Sequence, residues 1–118
     1  MLPRLDTAPG FVSHGETWIK IRWLRWDRVI EPPLSLQYQV EYQLSDTNEG
    51  SDWLHGPLVA DSTQSHSIEY MEAKVSDLVR NTFYDLRVWP LLRDADGQWT
   101  NGSASPRSSA YNTRCSGM

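Results

Sequence analysis

From Leu36 to Leu44 the chain alternates without a break. Leu36, Tyr38, Val40, Tyr42 and Leu44 fall on one side, and Gln37, Gln39, Glu41 and Gln43 on the other. On a helix these apolar residues would scatter around the axis, whereas on a strand they share one face. The stretch therefore predicts a strand with one buried and one wet face, the pattern of an antiparallel sheet. Two further stretches repeat it. Ile19, Ile21 and Trp23 oppose Trp18, Lys20 and Arg22; Tyr84, Leu86 and Val88 oppose Asp85, Arg87 and Trp89.

Turn chemistry separates these strands. Pro9 and Gly10 precede a short edge strand at Phe11-Val12, since proline is tolerated at the start of an edge strand. Pro32-Pro33 bars a central strand and predicts a loop over 26–35. Residues 45–52 and 61–66 read as polar loops. Trp53-Leu54-His55 and Leu58-Val59 predict a short strand broken at Gly56-Pro57, and residues 67–75 an extended segment. Asp96-Gly97 marks a hairpin after the 84–88 strand. Residues 105–113 supply a last edge strand. Roughly seven short strands without a convincing helix predict an all-β, antiparallel, immunoglobulin-like sandwich. In such a sandwich, a tyrosine after a short polar turn, as Tyr84 follows Leu78, buries its ring. Its hydroxyl turns back to the upstream backbone. Residues 1–8 read as a linker, 9–114 as the domain and 115–118 as a tail.

At 118 residues the chain is long enough for one core. Six Trp and five Tyr oppose a disordered composition, and a formal charge of −4 argues against a nucleic-acid partner. No apolar run approaches a membrane span, so no direct membrane contact is expected. The single cysteine, Cys115, excludes a disulfide within the chain and any cysteine-built zinc site. It is either the partner of a cysteine in a neighbouring domain or a free exposed thiol.

Catalytic and cofactor signals are missing. His14, His55 and His66 form no metal-binding pair, no serine lies in a nucleophile elbow, and no glycine-rich phosphate cradle is present. Asp94, Asp96 and Gly97 match a fragment of a calcium loop whose remainder is absent, which leaves them a turn. No enzyme activity and no cofactor are expected.

The ordered set of residues resembles the fibronectin type III family. Pro9 lies ahead of the first strand, and Ile21-Arg22-Trp23 is similar to the second-strand tryptophan motif. Pro32-Pro33 falls in the next loop, and Tyr38-Gln39-Val40-Glu41-Tyr42 is similar to the third-strand pattern. Leu78 with Thr82-Phe83-Tyr84 resembles the leucine and tyrosine-corner signature. Gly102 and Ser105 resemble the small residues that lead into the last strand. The chain departs from the family where Arg80-Asn81 replaces the usual proline, and in its longer second loop. The resemblance implies a seven-stranded sandwich, with strands A, B and E facing C, C′, F and G. It implies no catalytic role. The integrin-recognition tripeptide is absent, as is the Trp-Ser-x-Trp-Ser box of cytokine receptors.

Binding features sit on the surface. Arg87 and Trp89 face outward from the larger sheet beside Glu41 and Gln39. There they either stack on one another or meet a partner. Trp99, next to the Asp96-Gly97 turn, joins them as a candidate. Trp18, Lys20 and Arg22 form a second candidate on the opposite sheet. Asn101-Gly102-Ser103 is a glycosylation sequon, making Asn101 a candidate modification site and favouring an extracellular setting. The expected function is a non-catalytic extracellular interaction module of a receptor or adhesion protein. Its partner is another protein, a neighbouring domain or a second copy through sheet edge or face. The alternatives are a structural spacer and an accessory module beside a catalytic domain.

Overall fold

The computed structural model describes residues 3–26, 34–45, 53–61, 70–108 and 110–114. Its strands are β1 (Gly10–His14), β2 (Ile19–Leu24), β3 (Ser35–Leu44), β4 (Leu54–Ala60), β5 (Tyr70–Val75), β6 (Phe83–Arg93), β7 (Trp99–Asn101) and β8 (Tyr111–Asn112). All strand pairings are antiparallel. One sheet has the order β1-β2-β5; the other runs β4-β3-β6-β7, with β8 also on β6.

The two sheets bury the faces that the alternation marks out. Ile19, Ile21 and Trp23 of β2 and Ala73 and Val75 of β5 meet Leu36, Tyr38 and Val40 of β3 and Tyr84, Leu86 and Val88 of β6. Leu44, at the end of its alternating run, is exposed. The Trp23 and Tyr38 rings meet edge to face, 5.5 Å between centroids. The tyrosine corner forms despite the missing proline: Tyr84 is buried and its hydroxyl accepts the Val79 N–H at 3.0 Å. Asp77 and Asn81 make the bend with φ of 61° and 50°, a region their short polar side chains tolerate. The hairpin closes through Gly97, φ 84°, while Asp94 Oδ1 accepts the N–H groups of Asp96 and Gln98.

Three expectations change. Strand β4 continues through Gly56-Pro57 instead of breaking there. It is an edge strand with a register shift opposite Gln39 to Glu41, and the Gln39 amide donates to the Gly56 and Pro57 carbonyls across the irregularity. The last edge strand, expected over 105–113, is split into two pieces on β6, with β7 ahead of that range and β8 within it. Between them Pro106 has no N–H to give, and two serines keep contact with β6 by another route. Ser105 N donates to Val88 O and Ser105 Oγ accepts from Val88 N; Ser108 does the same with Leu86. The stretch read as a linker is packed from Pro3 onward. Leu5 joins the core, Arg4 bridges Ser103 in parallel and Ser103 N donates to Pro3 O. Pro3 and Leu5 are the apolar residues that supply this burial. Loop expectations at 27–33, 46–52 and 62–69 lie outside the described residues, as does Cys115.

Candidate interaction face

Odd-numbered residues of β6 point away from the core, and the strand register sets their neighbours. Gln39 lies opposite Trp89, Glu41 opposite Arg87 and Gln43 opposite Asp85. On the other side of β3, Leu58 pairs with Gln39 and His55 with Glu41. Such a face would ordinarily be wet. Here Glu41, Gln43 and Asp85 are buried, and guanidinium and indole groups lie over the two carboxylates.

Glu41 is the centre of this overlayer. Its Oε1 accepts Arg87 Nε and Trp89 Nε1, each at 2.7 Å, and its Oε2 lies 3.4 Å from His55 Nε2. The Arg87 guanidinium carbon sits 4.2 Å from the Trp53 ring centroid and 5.4 Å from that of Trp89. Arg107 also lies against Trp53, at 5.2 Å, and its Nε is 3.1 Å from Asp85 Oδ2. The result is a packed cluster of two guanidiniums and two indoles above two carboxylates. Each carboxylate fixes one arginine through Nε, and each guanidinium lies against an indole face, the geometry of cation–π attraction.

The sequence candidates divide. Arg87 and Trp89 lie together in this cluster. Trp99 does not join them: it pairs with Arg93 at the hairpin end, with the Arg93 guanidinium carbon 5.8 Å from its ring centroid. Four residues of strand separate Arg93 from Trp89, on the order of 13 Å. Asn101 ends β7, exposed and opposite Leu91. On the other sheet, Lys74 lies over Trp18 at 4.5 Å, Arg22 over Tyr70 at 4.7 Å, and Lys20 pairs with Glu72 at 3.2 Å. The Arg22–Tyr70 and Lys20–Glu72 contacts are diagonal across β2 and β5, and Trp18 immediately precedes β2.

Trp53 and Arg107 are the members that the sequence reading missed, and Asp85 is one that it placed on the outward row without a role. A signal for Arg107 exists in Ser105-Pro106-Arg107-Ser108, where two inward serines three apart leave the arginine outside. Among the described residues no group of three or more His, Cys, Asp or Glu side chains is placed to hold a metal ion.

A second polar group closes one end of the sandwich. The Tyr38 hydroxyl donates to Asp61 Oδ2 at 2.6 Å and accepts the Trp26 N–H at 3.0 Å, while Arg25 pairs with Asp61 Oδ1 at 2.8 Å. Burial, followed by the hydrogen bond to Asp61, raises the Tyr38 phenol well above its ordinary value. This is a structural clamp with its groups turned inward.

No protein-family model and no curated protein matches the sequence. Solved structures do match the fold. The fibronectin type-III domain of human fibronectin type III domain containing protein 3 is similar at a TM-score of 0.66 and 16% identity, over 98% of this chain and 89% of that one. A structure of titin domains A168-A170 is similar at 0.67 and 15% identity, over 96% of this chain and 32% of that one. The twitchin kinase region from C. elegans is similar at 0.65 and 12% identity, over 100% of this chain and 18% of that one. The chain has the fibronectin type III fold as a single module.

Proposed function

We propose that this domain is a non-catalytic protein-interaction module that works from the outward face of its larger sheet. The observation that carries the reading is the Trp53–Arg87–Trp89–Arg107 cluster, held rigid by Glu41 and Asp85. Trp and Arg supply much of the energy at protein interfaces, and side chains already fixed in place lose little entropy on binding. The neighbouring Leu58 is about half exposed and extends the face with apolar surface. Fold by itself assigns no function, so the reading rests on this face. An extracellular setting goes with it, supported by the exposed sequon asparagine, Asn101. A glycan on Asn101 of the native protein is the expected result, and unmodified Asn101 in secreted material would remove that support.

The test is site-specific photocrosslinking in cells that make the protein. A photoreactive residue at position 58 is expected to give an adduct with another protein, and one at position 20, on the opposite sheet, none. Trp89→Ala, checked to be folded, should abolish the adduct. Equal labelling from both positions, or an adduct indifferent to Trp89→Ala, would overturn the reading. A structural spacer is the second reading. It is favoured by how fully the Trp89 indole N–H and Arg87 Nε are satisfied within the domain.

A further inference from the structure

Arg87 and Arg107 share one unusual arrangement. Each is held by a buried carboxylate through Nε alone, Arg87 by Glu41 and Arg107 by Asp85, and each lies against the same indole, Trp53. A guanidinium has five N–H donors, so four on each arginine, those on the Nη atoms, remain. Among the described residues these Nη groups have no hydrogen-bond partner. The Glu41 and Asp85 side chains below are 11% and 8% exposed, while those of Arg87 and Arg107 are 27% and 43% exposed. Negative charge therefore lies underneath and positive charge above. The four charges cancel in sum, but the acids lie beneath, so the groups that reach a partner are guanidinium Nη atoms and indoles.

We infer that this pair of guanidiniums is a recognition site for a carboxylate side chain on an acidic segment of a partner protein. The inference rests on the proposed use of this sheet face and names what the face reads. The planar edge formed by two Nη groups matches a carboxylate in two parallel hydrogen bonds, which fixes direction as well as charge. Glu41 and Asp85 keep both arginines from folding back or wandering, so the site is formed before the partner arrives. Trp53 and Trp89 supply flat apolar surface for the chain on either side of the acid. Leu58, in the same row as Gln39 and Trp89, offers an apolar contact beside it. Lys20, Arg22 and Lys74 on the other sheet lack this construction: Lys20 is drawn to Glu72, and Arg22 and Lys74 lie over rings, with no buried acid beneath them. Charge complementarity thus selects an acidic partner and the fixed forks select this face.

The probe is a hexaglutamate peptide added to the 15N-labelled protein and followed by NMR. The expected result is saturable movement of the Trp53 and Trp89 indole N–H signals and of the Arg87 and Arg107 Nε–H signals, weakening as salt is added. Arg107→Gln should weaken binding about three- to tenfold, a range set by its partial exposure. Arg107→Lys, which keeps the charge and loses the fork, should fall between. Movement only at Lys20, Arg22 and Lys74, or equal affinity in the wild type and Arg107→Gln, would overturn the site. Stronger response to inorganic phosphate than to hexaglutamate would replace the carboxylate with a phosphoryl group and so overturn the acidic-segment assignment. Crosslinking from position 58 without any hexaglutamate response would defeat this inference while leaving the interaction-module reading intact.

Discussion

The indole N–H of Trp89 donates to Oε1 of Glu41, the same oxygen that takes the Nε–H of Arg87, and both contacts are 2.7 Å. One buried oxygen thus fixes the two side chains that a binding face would present. Without Glu41, Arg87 remains half-covered against Trp53 with no carboxylate, and the Trp89 indole N–H loses its acceptor. Glu41→Ala should cost about 1–3 kcal/mol in denaturant unfolding, less than for a fully buried pair because Arg87 keeps some water. Glu41→Gln should cost less, since it keeps an oxygen to accept. In a double-mutant cycle, Glu41→Ala and Trp89→Phe should be non-additive by about 0.5–2 kcal/mol. Additivity would mean that the contact does not couple them.

Tyr38 gives a pH-dependent prediction. Its phenol is raised by burial and by donating to Asp61, so the folded state holds the proton more tightly than the unfolded state does. The linked stability is fully present below the ordinary tyrosine value of about 10, and it is lost as pH rises above that value toward the folded one. The denaturation midpoint of the wild type should therefore fall more steeply above about pH 10 than that of Tyr38→Phe. Below that pH Tyr38→Phe should be less stable by about 1–3 kcal/mol, because Asp61 Oδ2 loses its donor and the Trp26 N–H loses the phenolic oxygen. Parallel midpoint curves for the two proteins would contradict the burial of this hydroxyl.

The core strands were legible because burial there follows a period of two. Leu36, Tyr38 and Val40, and again Ile19, Ile21 and Trp23, alternate against polar residues and enter the core as that pattern requires. The Tyr84 corner was legible for the same kind of reason, a local geometry with a local signature. What stayed hidden depends on contacts between distant residues. Trp53 and Arg107 are 54 positions apart, and no periodicity announces that they meet above β6. Trp99, beside the Asp96-Gly97 turn, was a candidate to reach the same patch as Trp89, yet the register assigns it to Arg93. Leu5 lay in a stretch with proline punctuation and no alternation, so its burial had no periodic signal.

Gly102 directly follows β7, where the N-terminal segment runs alongside in parallel. A Cβ at this position would overlap the carbonyl of Pro3, which accepts the Ser103 N–H. Backbone cannot swing aside as a flexible side chain can, so Gly102→Ala should push residues 3–5 off the sandwich. Leu5 would then leave the core, at a loss of about 1–3 kcal/mol. Limited trypsin digestion should cut after Arg4 much faster in the variant than in the wild type. Unchanged cleavage would show that the segment is not held there.

The sharpest test of the split last strand is Ser105. A regular strand beside β6 would offer Val88 both a backbone N–H and a backbone carbonyl. Ser105 instead donates its own N–H to Val88 O at 2.8 Å and accepts Val88 N–H with its hydroxyl at 2.9 Å, all within buried surface. Removing the hydroxyl leaves the Val88 amide buried and without an acceptor. Ser105→Ala should destabilise the domain by about 1–3 kcal/mol and speed hydrogen exchange at Val88. Ser103→Ala, at an exposed position, should change stability by no more than about 0.5 kcal/mol in unglycosylated protein. If Ser105→Ala exchanged Val88 no faster than Ser103→Ala, a backbone carbonyl or water would have to fill the acceptor role, and the serine would be dispensable to the strand.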